Sequence, residues 1–287
     1  LETYIENKTI TTGLTHTFRT NSKPFAGRIR ILTRLLRFAL VSLRRGHFDF
    51  LANAVSSILD LFCATAKDAF WGRSVVHCNI CGWTGNSFYR HTGPGYDEKN
   101  SLCPGCLCQD RHRALLVILE KCTDYFSPGK KIVEVAPERN LETLYINQGL
   151  DYTSFDIKRR AMEQGDVTRM RYLDNSIDYF LCLHVLEHVP GEKEALREIH
   201  RVLKPDGCAV VQVPVDWNLP QSYEYPMADP RDTFHVRRYG RDFIKRITLP
   251  GFEVVSKSIN DFLSNEDINR FGCSREPVFF LKKVSAA

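Results

Sequence analysis

Residues 131–138 read KIVEVAPE and residues 177–189 read IDYFLCLHVLEHV; between them lie YTSFD at 152–156 and GDVT at 165–168. Three short apolar runs, rich in β-branched and aromatic residues and separated by helix-like stretches, describe a parallel sheet with crossover helices. In such sheets ligands bind beyond the carboxyl ends of the strands, where the strand order reverses. The residues at or near those ends are Glu134, Asp156, Asp166 and His184. Their placement predicts a rim that binds a nucleoside.

An acid closing the second run can accept both hydrogen bonds of a ribose diol. On the next loop, Asp166 can receive an adenine amino group while the Val167 amide meets a ring nitrogen. No G-x-x-x-x-G-K-[ST] follows the first run, and G-x-G-x-x-G is also missing there. An adenosine ligand without phosphates therefore fits better than NAD or ATP. S-adenosylmethionine (SAM) is such a ligand.

The order VEVAPE, YTSFD, GDVT, LDNSIDYFLCLHVLEHV and ALREIHRVLKPDGCAVVQVPV resembles the class I SAM-dependent methyltransferases. The HVLEHV and EIHRVLKPDG segments are the most specific part. The resemblance spans roughly residues 131–215 and extends more loosely to the end of the chain. It implies a Rossmann-like α/β sheet, with SAM held by Glu134, Ala136, Pro137, Glu138, Asp156, Asp166, Val167 and His184. One departure stands out: the glycine-rich turn of the family is replaced by Ala136-Pro137-Glu138. That A-P-E turn resembles a bacterial subgroup that also carries an N-terminal zinc ribbon.

The chain has 287 residues, 43% hydrophobic and 25% charged, with a formal net charge of +5. This is ordinary for a globular protein with one large domain and one or two small ones. The mild charge permits an acidic partner without demanding one. No 18-residue uncharged apolar span and no signal-peptide layout occur in the sequence. Ten cysteines, two pairs of them spaced C-x-x-C, read as metal ligands plus free thiols, and so as a protein of the reducing cytoplasm.

Residues 1–75 are expected to form a helical N-terminal region that follows a loosely ordered polar start. Within it Ile29, Leu32, Leu36, Leu40 and Leu43 recur at helical spacing, opposite Arg30, Arg34, Arg37, Arg44 and Arg45. This is a basic amphipathic helix that Gly46 would end. Leu51, Val55, Ile58, Leu59 and Phe62 form the apolar face of a second helix. The first helix either lies peripherally on an anionic membrane surface or packs on the catalytic domain with its arginines solvated.

Residues 76–113 hold Cys78, Cys81, Cys103 and Cys106, two C-x-x-C knuckles that can share one tetrahedral structural Zn2+. Gly82 follows the first knuckle in the usual way, whereas Leu107 follows the second. Cys108, His77, His91 and His112 are near enough to serve as substitute ligands; in the subgroup resembled, Cys108 stands where a serine does. Trp83, Phe88, Tyr89, Arg90 and His91 offer either a nucleic-acid surface or a face that packs on a neighbouring domain, and packing is the expected use.

Residues 114–287 are expected to be the SAM-dependent domain. Residues 216–239 leave the sheet's carboxyl edge as a long irregular segment, placed to wall or cover a substrate pocket. Methyl transfer from a sulfonium requires in-line alignment and somewhere for a proton to go. His188, His235 and Asp216 are the candidates for that task, with Glu187 beside them. Arg111, Arg113, Arg237 and Arg238 would surround one pocket and favour an anionic acceptor. The expected activity is O-methylation of a small-molecule or glycan-type acceptor, anionic or lipid-linked. RNA methylation through the ribbon and a non-catalytic binding module are the alternatives. The absence of an N-P-P-Y-type loop and the mild charge both weigh against nucleic acid.

Overall fold

The computed structural model describes residues 24–44, 48–70, 74–93, 96–158, 161–229 and 232–284. The polar start, Arg45 and the stop at Gly46 lie outside these. Seven strands form the central sheet: β5 (Lys131–Val135), β6 (Asp151–Asp156), β7 (Glu163–Gln164), β8 (Ile177–Leu183), β9 (Leu203–Gln212), β12 (Phe252–Lys257) and β13 (Val278–Lys283). Their order is β12-β13-β9-β8-β5-β6-β7, all parallel except β13, which runs antiparallel to both its neighbours. The strands of the middle bury both faces and therefore read as continuous apolar runs rather than alternating ones. Strand order reverses at β5, which has β6 on one side and β8 on the other.

Helices cover both faces. On one side α3 (Asp110–Cys122) and α4 (Arg139–Asn147) pack with Tyr125, Tyr152, Leu181 and Phe280; on the other, α5 (Glu192–Val202) packs Ala195, Leu196 and Ile199 onto Phe180, Val211 and Phe279. Helix α5 ends at Val202, because the chain joins β9 from Leu203.

Ahead of the sheet, α1 (Pro24–Arg44) and α2 (Phe48–Phe70) lie against the hairpin of β3 (Tyr89–Gly93) and β4 (Tyr96–Leu102). Ile31, Leu35, Leu61, Ala64, Tyr89 and Leu102 form the small core of this contact. Gly27 is what lets α1 approach so closely: a Cβ there would sit 1.7 Å from the Pro104 carbonyl oxygen. The apolar stripes legible in the sequence point elsewhere. Ile29, Leu36, Leu40 and Leu43 are 48–55% exposed, and Val55, Leu59 and Phe62 are 47–60% exposed. The helices thus pack through a neighbouring face and leave their most apolar stripes turned outward.

Candidate functional site

The parallel register sets the rim. Val135 lies level with Phe155 on β6 and Cys182 on β8, and Asp156 is level with Gln164. The chain leaves the sheet at Ala136, Asp156 and His184, so these residues and the Asp166 loop share one edge. Ala136 holds φ 51°, the left-handed conformation that glycine usually supplies at this turn. The A-P-E sequence therefore makes the bend without glycine, at about 1–2 kcal/mol of backbone strain. Asp156 Oδ1 accepts from the Lys158 amide, and Asp166 Oδ1 accepts from the Thr168 amide and hydroxyl. Val167 is buried beneath them.

Glu134 departs from the rim expectation. It is 1% exposed inside the sheet, where Oε2 accepts from the Tyr152 hydroxyl and Oε1 has no partner. Burial pushes its carboxyl up to about 8. Its position one residue before Val135, the end of the strand, turns the side chain to the face covered by α3 and α4.

A cavity of about 1080 Å³ opens beside the rim. Its floor is Glu138, His184, Glu187 and His188; Pro214, Val215 and Trp217 flank it, and His91, Tyr96 and Glu98 of the β3–β4 hairpin close the far wall. His184 follows β8 with φ 54°. Burial opposes its charge, but Glu276 and Glu187 outweigh that and carry the imidazole up to about 9. Its Nε2 lies 3.3 Å from Glu276, close enough for an ion pair but not aligned for a hydrogen bond. Glu187 and His188 sit on a single 3₁₀ turn, Leu186–His188, directly after β8. Burial raises the Glu187 carboxyl, and the imidazole of His184 more than reverses this, so that it is held below the ordinary carboxylate range.

The segment expected to be irregular contains its own two-stranded sheet, β10 (Tyr223–Asp229) with β11 (His235–Arg238). YEYPMAD is exposed along most of its length, so it carries no apolar alternation that would mark it as a strand. His235 opens β11 and reaches the cavity; its ring centre is 4.7 Å from that of His188. Burial depresses its pKa. Asp216 does not line the cavity: its Oδ1 accepts from the Asn218 amide and shapes the turn.

The four-arginine pocket is corrected. Arg237 is 3% exposed and donates to the carbonyls of Leu186, Val189 and Pro190 and to Glu224. Arg113 is fully buried, donating to the carbonyls of Cys108, Phe271 and Gly272. Arg238 pairs with Asp232. Only Arg111 borders the cavity, and it is paired with Glu138. Carbonyls freed at a 3₁₀ turn and at a knuckle supply what the guanidinium groups bind, and nothing in the spacing of the arginines reveals that.

The cysteine region folds as two knuckles. The Gly82 amide donates to the Cys78 carbonyl and the Leu107 amide to the Cys103 carbonyl. Leu107 takes φ 62° where Gly82 takes 74°, so both knuckles keep one shape. One sulfur from each of Cys78, Cys81, Cys103 and Cys106 lies within 4.8 Å of the others. A Cβ on Gly105 would come within 2.9 Å of the Cys81 sulfur, so the backbone is pressed against the sulfur cradle. Cys108 is buried outside this group, and His112 Nδ1 accepts from the Gln109 amide. Trp83, Phe88 and Tyr89 are buried, and the Arg113 guanidinium stacks 3.7 Å over Phe88. Trp83 and Phe88 pack the cysteine region onto the sheet domain, and Tyr89 packs against α1 and α2.

The family described as "Methyltransferase domain" matches residues 139–211. The chain is 37% identical over 81 residues to demethylmenaquinone methyltransferase of Lactobacillus johnsonii, covering 26% of this chain and 33% of that one. It is 33% identical over 97 residues to the protein of the same name from Renibacterium salmoninarum, covering 29% and 41%. The chain thus spans only about a third of the length of these curated relatives. Among solved structures, a SAM-dependent methyltransferase from Archaeoglobus fulgidus overlaps 59% of this chain and 92% of its own, at 15% identity and a TM-score of 0.40. The matched segment runs from α4 through β9, the centre of a sheet whose strand order and antiparallel seventh strand are described above. Residues 139–211 thus match a methyltransferase domain, and they form the centre of the sheet.

Proposed function

We propose that this protein transfers the methyl group of SAM to an oxygen of a small-molecule or glycan-type acceptor held in the cavity beside the rim. The observation that carries this reading is the position of that cavity. It adjoins the edge where strand order reverses and is walled by His188 and His235. Asp156, Asp166, Val167 and the Ala136 turn fit an adenosine ligand on the rim, with Glu138 and His184 between it and the cavity. SAM supplies the electrophilic methyl group. His235, kept neutral by burial, is suited to take a hydroxyl proton, and His188 stands beside it as the second candidate. Asp216 is not proposed for this role. The test is release of S-adenosylhomocysteine when the protein is incubated with SAM and hydroxylated acceptors, followed by comparison with the His235→Asn variant.

The acceptor reading no longer rests on a positive pocket. Glu98, Glu138, Glu187, Asp232 and Glu276 line the cavity alongside Arg34, Arg111 and Arg275. A lipid-linked acceptor has separate support. The outward stripe of α1 lies beside exposed Arg30, Arg37 and Arg44, while Arg34 of the same helix donates to Tyr96 at the cavity wall. An apolar face flanked by arginines suits an anionic lipid surface. Resting there, it would hold the cavity near the membrane. No helix among the described residues is long and apolar enough to cross a bilayer. The names of the two relatives specify demethylmenaquinone, an acceptor to include in the assay.

For the four cysteines, we propose one structural Zn2+. Four thiolates leave no open coordination position, so the ion would hold the ribbon together and take no part in transfer.

A further inference from the structure

Glu187 is 1% exposed, yet neither oxygen of its carboxylate has a hydrogen-bond partner. The nearest cation is the His184 imidazole, with Nδ1 at 3.5 Å from Oε1. A buried carboxylate left this way is costly unless something else completes it. Two further donors converge on it. One ligand atom from each of Glu187, His188 and His235 lies within 4.8 Å of the others. Glu187 and His235 are buried and His188 is open to the cavity, so the three form a wall with one accessible side.

The surroundings orient both histidines. His188 Nδ1 faces the Phe234 carbonyl at 3.4 Å, and His235 Nδ1 faces Asp232 Oδ1 at 3.5 Å. Acceptors on Nδ1 favour the tautomer whose Nε2 carries the free lone pair, the arrangement typical of imidazoles that ligate metals. The Nε2 of His235 now lies 2.8 Å from the Thr233 hydroxyl, a neutral partner that an ion would displace. The two halves of the wall come from different elements, the 3₁₀ turn and the lid strand β11. Arg237 fixes their spacing by binding the Leu186, Val189 and Pro190 carbonyls from within that strand.

We infer that Glu187, His188 and His235 form a binding site for a divalent transition-metal ion in the acceptor cavity, distinct from the four-cysteine site. Two imidazoles and one carboxylate select ions of the zinc, cobalt or iron(II) class over magnesium or calcium. Three protein ligands leave positions open to the cavity, where two neighbouring oxygens of an acceptor can bind. This role in methylation rests on the proposed transferase reading; ion binding itself does not. With an ion on His235 that imidazole no longer serves as the base, so in the transfer the acceptor O–H gives up its proton to solvent and the oxygen takes the methyl carbon. The S–CH3 bond breaks and its electron pair neutralises the sulfonium, leaving S-adenosylhomocysteine.

The test is a Co2+ titration of the full chain with its cysteine site filled by zinc, without SAM or acceptor. Calorimetry and visible absorption are read together. One further equivalent should bind, with ligand-field bands but no thiolate-to-cobalt charge-transfer band. Glu187→Gln and His188→Ala should each weaken it at least about tenfold. His188 is exposed, so its variant keeps the fold and remains informative if the Glu187 variant does not. No additional Co2+, a thiolate band at the added equivalent, or unchanged affinity in the His188 variant would overturn the site. Failure to bind SAM would leave this result standing, so the two proposals fail separately.

Discussion

Replacing Arg237 by alanine should destabilise the protein far more than it alters recognition of any acceptor. The guanidinium donates to the Leu186 and Val189 carbonyls at 2.6 Å each, to Pro190 at 3.1 Å and to Glu224 at 3.0 Å. Hydrogen bonds to a charged group contribute about 1.5–3 kcal/mol each, and the partner left buried keeps its desolvation cost. The Glu224 pair counts for little, because Glu224 is 51% exposed and water replaces the arginine there. Three carbonyls remain, and water entering the vacated space offsets part of their loss. A net cost of about 3–5 kcal/mol follows, as for breaking one side of a buried charged network. Lysine keeps the charge but not the planar fork, so Arg237→Lys should cost about half as much. Urea unfolding followed by circular dichroism reads both values, provided the slope with denaturant stays constant. A loss below about 1 kcal/mol for the alanine variant would refute the clamp. If the acceptor KM rose in that stable variant, the arginine would return to the acceptor site.

Three further outcomes are expected. Burial pushes the Glu134 carboxyl from the ordinary glutamate value of 4.5 up to about 8, so the stability it gives is full below about pH 4.5 and is lost as pH rises to 8, at about 1.4 kcal/mol per pH unit. Glu134→Gln should flatten that decline in pH-dependent denaturation, and an unchanged slope would count against it. Metal analysis should find one zinc on Cys78, Cys81, Cys103 and Cys106, with Cys108→Ser retaining it and Cys103→Ser losing it together with ribbon structure; zinc-free, fully folded protein would contradict this. Flotation should show binding to anionic vesicles, reduced by Leu36→Asp or Arg37→Glu, with little binding to zwitterionic ones; equal recovery on both kinds of vesicle would remove the electrostatic part of the reading.

The sheet was legible because its strands are buried on both faces and its rim residues fall at strand ends, so periodicity and position agree. The cysteine knuckles were equally legible, since ligand spacing is local. Arg237 and Arg113 were misassigned for a physical reason: an arginine that binds carbonyls looks, in sequence, like one that binds anions. Glu187 stood beside the candidate histidines in the sequence, but its lack of a hydrogen-bond partner is a property of the assembled wall, where β11 brings His235 onto a turn some fifty residues earlier. The outward stripes of α1 and α2 were read correctly as apolar, while the face that packs, through Ile31, Leu35 and Leu61, was the less regular one.

Titration of the protein with SAM or S-adenosylhomocysteine by isothermal calorimetry tests the central claim most directly. Saturable binding at one site per chain is predicted, with a micromolar-range constant of roughly −8 kcal/mol. Asp156→Ala should weaken it by about 2–3 kcal/mol, through loss of two hydrogen bonds to a charged group. No heat of binding from the folded, unmodified protein would contradict the claim and leave a domain of this fold without its cofactor.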